Sequence, residues 1–175
     1  MIKKKGLSQV VSTVILIALS IALVAGVLTM VRNYVTGSLD SASSCKDILE
    51  KITINPDYTC FDPITNSTLI SISRSDFDLD SLSVSVLYED SSTQFKLTES
   101  SQNIPGVKYY VQGGSPEGNV ALPSKESGRT YCYNATLTAP SSIEIAPKRG
   151  THQCQVVDSF KEIPVCLPRI NCTEW

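Results

Sequence analysis

The chain begins with one long apolar block. Residues 7–31 (LSQVVSTVILIALSIALVAGVLTMV) carry no ionisable side chain, and the first charge after them is Arg32. A helix rises about 1.5 Å per residue, so about 20 apolar residues cross a hydrocarbon layer about 30 Å thick. Within a bilayer, a single spanning segment satisfies its backbone only as a helix. The pattern therefore predicts one transmembrane helix over residues 7–38.

After Asp40 the pattern changes to short apolar runs, several with a period of two, separated by turn residues. Alternation of this kind is typical of half-buried strands. Pro and Gly clusters, including the one at 147–150, are expected to interrupt the strands. A further short helix is possible only over 42–52. The strands are predicted at 68–73, 82–86, 95–97, 107–111, 130–137, 142–145 and 155–157.

These two patterns together predict an α+β fold. A long N-terminal hydrophobic helix precedes one antiparallel β-sandwich-like domain over residues 39–175, a length that suits a single modest core. The net charge of −2 does not favour a polyanion-binding surface, so no nucleic-acid partner is expected.

The segment before the apolar block reads MIKKKG, and such a cationic flank prefers the cytoplasmic side of a membrane. This places the carboxy-terminal domain outside the cytoplasm. An ordinary secretory signal would be cut after small residues, and Ala18, Ser20 and Ala22 offer such a site. The apolar run continues to Val31, however, which is too long for a removed signal.

The motif KKKG followed by LSQVVSTVILIALSIALVAGV resembles the class III signal of archaeal type IV pilins and archaellins. The resemblance implies a leader over residues 1–6 and a prepilin-type peptidase that cuts between Gly6 and Leu7, with Lys4, Lys5 and Gly6 as its recognition site. Bacterial pilins usually have Glu at the fifth mature position, and Val11 stands there, which favours the archaeal branch.

This resemblance, which covers about the first 35 residues, also implies a β-rich head and a function. The chain would be a structural subunit of a surface filament, held in membrane lipid before assembly and self-associating afterwards. Ala18, Ala22 and Gly26 are spaced four residues apart, so they form one ridge of small side chains. Small residues let helices approach closely in lipid, which makes this ridge the predicted packing seam.

Six cysteines lie in the carboxy-terminal domain, and none forms a C-x-x-C pair, so a zinc site has little support. Outside the cytoplasm an even number favours disulfides, each typically worth about 2 to 4 kcal/mol. Sequence does not select the connectivity. Nearness along the chain suggests Cys45 with Cys60 and Cys154 with Cys166 or Cys172. The candidates are Cys45, Cys60, Cys132, Cys154, Cys166 and Cys172.

Three N-x-S/T sequons make Asn66, Asn134 and Asn171 candidates for glycosylation if the domain is extracytoplasmic. Asp76, Asp78 and Asp80 would share one face of a strand and could bind calcium, but they lack the glycine and glutamate of a calcium loop. We therefore prefer a solvated turn there and expect no metal site.

No enzyme is expected, because the chain has a single histidine, His152, and no G-x-S-x-G element. No catalytic residue and no cofactor are predicted. The leading hypothesis is thus a filament subunit. The alternative is a single-span anchored extracytoplasmic module that binds or adheres and never polymerises.

Overall fold

The computed structural model describes residues 5–111, 118–134, 138–150, 152–167 and 172, with side chains at 10–35 and from 45 onward. The chain divides into two compact units, Met1–Ala42 and Ser43–Trp175. We call the second unit the head. The predicted fold class is confirmed, because one long apolar helix is followed by two antiparallel sheets.

Helix α1 spans Lys5–Lys46 and so extends beyond Ser38, where it was predicted to end. No proline or glycine interrupts residues 38–46, and Lys46 in the last turn complements the negative end of the helix dipole. The chain then turns, and Glu50 adopts a left-handed conformation with φ of 69°. Of the possible second helix at 42–52, only residues up to Lys46 are helical, and they belong to α1.

The strands form two five-stranded sheets in which every ladder is antiparallel. In sheet A the order is β1-β3-β7-β6, and β2 also pairs with β3. In sheet B the order is β10-β8-β4-β5, and β9 also pairs with β8. A 3₁₀ turn at Pro56–Tyr58 precedes β2. The strands are β1 Ile52–Ile54, β2 Cys60–Asp62, β3 Ser67–Arg74, β4 Ser81–Leu87, β5 Ser92–Thr98, β6 Val107–Tyr109, β7 Ser127–Asn134, β8 Ser142–Arg149, β9 His152–Gln153 and β10 Asp158–Lys161.

Alternation placed six of the seven predicted strands correctly, at β3 to β8, although residues 135–137 of the fifth prediction lie outside the described residues. The strand predicted at 155–157 is wrong. Gln153 of β9 pairs with Lys148, and Asp158 of β10 pairs with Ile145. The chain therefore advances five residues from Gln153 to Asp158, whereas their partners in β8 are only three residues apart. The extra residues form a bulge that interrupts the ladder between β9 and β10.

The break predicted at 147–150 is also wrong at its start, since β8 continues through Pro147 to Arg149. Pro147 lies opposite that bulge, one of the few places where a strand accommodates a residue without an N–H. Its carbonyl still accepts a hydrogen bond from the Cys154 amide at 2.9 Å. The turn comes at Gly150, whose φ of 59° suits glycine.

The core of the head lies between the two sheets. Alternate residues of β3, Ile70 and Ile72, are fully buried, and Val84 of β4 pairs with both Phe95 of β5 and Ile145 of β8. The Phe95 ring also stacks on Tyr133 of β7 at 5.5 Å, which joins the sheets directly. One continuous cluster of buried residues includes side chains from both sheets, so the head has a core of its own.

All six cysteines are paired, but not as their order along the chain suggested. The bonds are Cys45–Cys154, Cys60–Cys166 and Cys132–Cys172, and the pairings Cys45–Cys60, Cys154–Cys166 and Cys154–Cys172 are wrong. Strand pairing explains the difference. Cys60 and Cys132 both lie beside Leu69 of β3, on the outer face of sheet A, where the last part of the chain reaches them.

The segment 163–167 adds to the edge of sheet A beside β2. Phe61 donates its amide hydrogen bond to the Pro164 carbonyl at 2.8 Å, and the Cys166 amide donates to the Phe61 carbonyl at 3.0 Å. Cys172 then bonds Cys132 in β7, two strands further across the sheet. The carboxy-terminal segment is therefore fastened to the outer face of sheet A at two places.

Candidate functional site

The largest uncovered apolar surface of the described residues belongs to α1. Val10–Val35 has a mean hydropathy of 2.8, and none of it is buried. At about 1.5 Å per residue this segment is about 39 Å long, more than a hydrocarbon layer requires. One helix long and apolar enough to cross a membrane, together with a disulfide-bonded globular unit, fits a single-pass membrane protein.

Three of the hydroxyl groups in this segment donate hydrogen bonds to carbonyls of the helix itself. Thr13 donates to the Val10 carbonyl, Ser20 to Ile17 and Thr29 to Ala25, each at 2.8 Å. A hydroxyl without a partner would be costly in hydrocarbon. These three hydroxyls are therefore already paired where the helix would face lipid.

The predicted packing seam is open in this unit. Ala18, Ala22 and Gly26 fall on one face of α1, and a Cβ placed on Gly26 would meet nothing within 4 Å. Nothing in the single chain therefore requires glycine at this position. Aromatic and polar residues follow at the end of the segment, where Tyr34 is 78% exposed.

The predicted processing site falls at the start of α1. Lys5, Gly6 and Leu7 are its first three residues, and Lys4 lies outside the described residues. Both residues of the predicted scissile bond, Gly6 and Leu7, are therefore helical.

The three glycosylation candidates occupy different surroundings. Asn66 is exposed in the turn between β2 and β3, with φ of 50°, while Ser67 and Thr68 of its sequon are buried. Asn134 is half-buried at the end of β7, and its backbone N–H donates a hydrogen bond to the Gly106 carbonyl. Asn171 lies outside the described residues. Of the two that are described, Asn66 is the more accessible acceptor.

The carboxylates considered for calcium have protein partners. Lys125 Nζ lies 2.7 Å from an oxygen of Asp78 and 3.4 Å from one of Asp76, and Asp80 accepts a hydrogen bond from the Gly150 amide. Hydrogen bonding to Lys125, followed by its charge, lowers the pKa of Asp78, and the same contact raises the pKa of Lys125. The lysine thus occupies the position between these carboxylates that a cation would need.

Other chemistry is equally limited within the described part of the chain. It contains no group of three or more His, Cys, Asp or Glu side chains placed to hold a metal ion. His152 lies in β9 opposite Arg149, and the nearby Cys154 is in a disulfide and so offers no thiolate.

Sequence reasoning missed the buried charge of Arg74. The Arg74 side chain is 2% exposed, and its guanidinium donates to the carbonyls of Phe77 and Pro123 and to a Glu99 carboxylate oxygen at 2.8 to 3.2 Å. Its Cζ also lies 5.5 Å from the centre of the Phe77 ring. The signal was available, since Arg74 follows an alternation in which Ile70 and Ile72 are core positions. Arg74 thus holds two loops against β3.

Comparisons with models of known protein families, with curated proteins and with solved structures find no match to this chain.

Proposed function

We propose that this chain is a structural subunit of an archaeal type IV pilus-like surface filament. The observation that carries the proposal is the uncovered helix Val10–Val35, which has a mean hydropathy of 2.8 and is followed by a head with its own core. Such a helix needs surroundings that the chain itself does not supply. Membrane lipid serves before assembly, and helices of other copies serve afterwards.

Self-association through the helix is supported by the open ridge of Ala18, Ala22 and Gly26. Lipid chains are as apolar as leucine, so helices associate there by close packing rather than by burial from water. A ridge of small side chains permits that approach. In this proposal the helices form the filament core, and the heads form its surface.

Maturation would remove residues 1–6. Lys4, Lys5 and Gly6 match the recognition site of a prepilin-type peptidase, and the Gly6–Leu7 bond lies within the first described residues of α1. Removal of the leader would also remove three lysines next to the apolar block. Charges at that position oppose packing of the helix end against other helices.

An extracytoplasmic head is supported by two independent features. The lysines before the helix favour the cytoplasm for the amino terminus. Disulfides persist in oxidising compartments, and all six cysteines of the head are paired. In that location Asn66 is the described sequon best placed to carry a glycan at the filament surface.

Mass spectrometry of the native protein tests maturation. We expect Leu7 at the amino terminus, and we expect Gly6→Val to leave the precursor in the membrane. Electron microscopy of surface material, with peptide fingerprinting, then tests assembly. An intact Met1 in a protein that is always a single molecule would favour the anchored binding module.

A pair of helix variants separates assembly from processing. Gly26→Ile fills the small-residue ridge, whereas Val24→Phe enlarges the opposite face of α1. Both should lose the leader normally. We expect filaments to be lost mainly with Gly26→Ile, and equal assembly of the two variants would contradict the proposed seam.

A further inference from the structure

Two disulfides of the head join the same two stretches of chain, residues 45–60 and 154–166. Each stretch is bonded to the other at both of its ends, so together they form a closed covalent ring, which we call the strap. The chain between them, residues 61–153, is a loop that leaves the ring at one disulfide and returns at the other. The bonds that close the strap are Cys45–Cys154 and Cys60–Cys166.

The two halves of the strap lie side by side on the head. The Ile54 amide of β1 donates a hydrogen bond to an Asp158 carboxylate oxygen beside it in β10, at 2.7 Å. The Phe61 amide, directly after the first half, donates to the Pro164 carbonyl of the second half at 2.8 Å. The strap is therefore a double band of chain along the margin of the sandwich where β1 meets β10.

Strand register shows how far the strap reaches along the head. β1 pairs with one end of β3, where Ile52 lies opposite Arg74. β2 pairs nearer the other end of β3, where Cys60 lies opposite Leu69. The five residues from Leu69 to Arg74 span about 17 Å at about 3.4 Å per residue. The strap thus runs from the last turn of α1, which contains Cys45, towards the opposite end of the sandwich.

A force applied to α1 reaches the strap before it reaches most of the strands. At Cys45 the peptide chain continues to β1 of sheet A, and the disulfide continues to the chain before β10 of sheet B. Both routes meet again at the Cys60–Cys166 bond. A pull between the two ends of the strap is therefore borne by the covalent bonds of the ring. The loop 61–153, which holds most of β2 and all of β3 to β9, lies outside the path of the force.

Other pairings of the same cysteines would not have this effect. Bonds between neighbours along the chain, Cys45–Cys60 and Cys154–Cys166, would each close a small separate loop. Tension would then pass through residues 61–153 and pull the strands apart. The hydrogen bonds of a strand ladder, each worth about 0.5 to 1.5 kcal/mol net, give way long before a covalent bond does.

We propose that the strap is a mechanical device, which carries tension from α1 to the far end of the head without unfolding β3 to β9. Either disulfide alone still gives a short covalent route from α1 to Cys166, so the device is redundant. The inference extends the proposed function, because a surface filament that is attached at its far end is under tension. The experiment uses single chains, so a failure of filament assembly would leave the strap standing.

Optical tweezers test the proposal on the full chain in detergent micelles, with handles attached at its two ends. The measured quantity is the contour length that the head releases once α1, which is the same in every variant, is subtracted. The route through the Cys45–Cys154 bond leaves only the 21 residues from Cys154 to Trp175 to be extended. A chain extends by at most about 3.6 Å per residue, so we expect the parent to release no more than about 75 Å.

Removal of the disulfides, with alanine in place of both cysteines, should have a strongly non-additive effect. Loss of Cys45–Cys154 alone, or of Cys60–Cys166 alone, leaves the other short route, so each variant should release no more than about 90 Å. Loss of both bonds forces tension through the chain as far as Cys132 and its bond to Cys172, and should release about 300 Å. The matched control removes only Cys132–Cys172, which lies off the route, and should release as little as the parent.

The contour length depends on covalent connectivity, so it can be read even from a variant that does not fold. Neighbour pairing of the cysteines would let the parent itself release more than about 200 Å. The proposal is overturned if the parent, or either variant that lacks one bond of the strap, releases more than about 100 Å. It is also overturned if loss of both bonds releases no more than the parent does.

Discussion

The apolar residues of the helix and of the head are of the same types but have opposite surroundings. Ile17 and Leu19 of α1 are 60% and 59% exposed, whereas Ile72 and Leu82 of the head are fully buried. The head can satisfy its hydrophobic residues by folding. The segment Val10–Val35 does not, because none of it is buried and its apolar side chains are exposed on every side. The helix is thus built for other molecules, and the head is built to stand alone in water.

The two regions also satisfy polar groups differently. Hydroxyls of the helix bond to carbonyls three or four residues away. Some polar groups of the head also use distant partners, as when the Ile54 amide donates to the Asp158 carboxylate at 2.7 Å, 104 residues apart. Local bonding suits a segment that has no tertiary neighbours. Distant bonding makes the head cooperative, so a change at one end should destabilise the other.

The largest expected effect comes from charge in the helix. Leu19→Arg combined with Leu23→Arg should abolish membrane insertion, since each arginine near a helix centre costs about 2.5 to 3.5 kcal/mol. After a high-pH wash and fractionation, the double variant should no longer be found in the membrane pellet. The matched control, Ile64→Arg with Leu167→Arg, alters head residues that are 62% and 91% exposed. The control pair should stay in the membrane pellet. If both pairs fractionated in the same way, the proposed difference between the helix and the head would be wrong.

A smaller effect, confined to the head, should follow loss of the Cys45–Cys154 bond. It closes a sequence separation of 109 residues, and the chain-entropy estimate for such a loop is about 4 to 5 kcal/mol. Replacing both cysteines by alanine should lower the urea midpoint of the β-sheet signal in detergent micelles. Membrane insertion should be unchanged. The Cys132–Cys172 bond spans 40 residues and should cost somewhat less when removed, so the reverse order would argue against the entropic account.

The smallest effect should depend on pH. Burial, followed by the nearby Tyr133, raises the pKa of Tyr88 from 10.0 to about 12. Because the folded head holds this proton more tightly than the unfolded chain, the associated stability is complete below pH 10 and is lost as pH rises towards 12. The loss is at most about 3 kcal/mol for two pKa units.

Tyr88→Phe isolates this contribution. Urea unfolding should give similar free energies for parent and variant at pH 8, and the variant should lose less stability between pH 10 and 12. Burial also raises the pKa of Tyr131, so some alkaline loss remains in the variant. Identical pH profiles would show that Tyr88 does not contribute. Ionisation of Tyr88 or Tyr131 should leave the spectroscopic signal of helix α1 unchanged.

The sequence predicted the longer strands because their alternation is strong. β4, with Leu82, Val84 and Val86 facing the core, is the clearest case. It missed β1 and β2, which have three residues each and depend on the long β3 for their pairing. The bulge before β10 was also missed, because it exists only relative to β8. Short elements take their conformation from neighbours that lie far away in the chain.

The proposed sites divide in the same way. The processing motif and the small-residue ridge can be read from adjacent residues, since both lie along one helix. The disulfide pairs could not be read in this way, because Cys60 and Cys132 come to lie beside Leu69 only through strand register.

The sequence by itself determined that the chain has a membrane-length helix and a separate β-rich head. Hydrophobic periodicity shows this because it depends only on residues that are close together in the chain. Only the tertiary structure decided which cysteines pair, how far α1 continues and what the outer face of sheet A presents. Those outcomes depend on strand order and register, which bring together residues up to 109 positions apart. No local pattern encodes such distances.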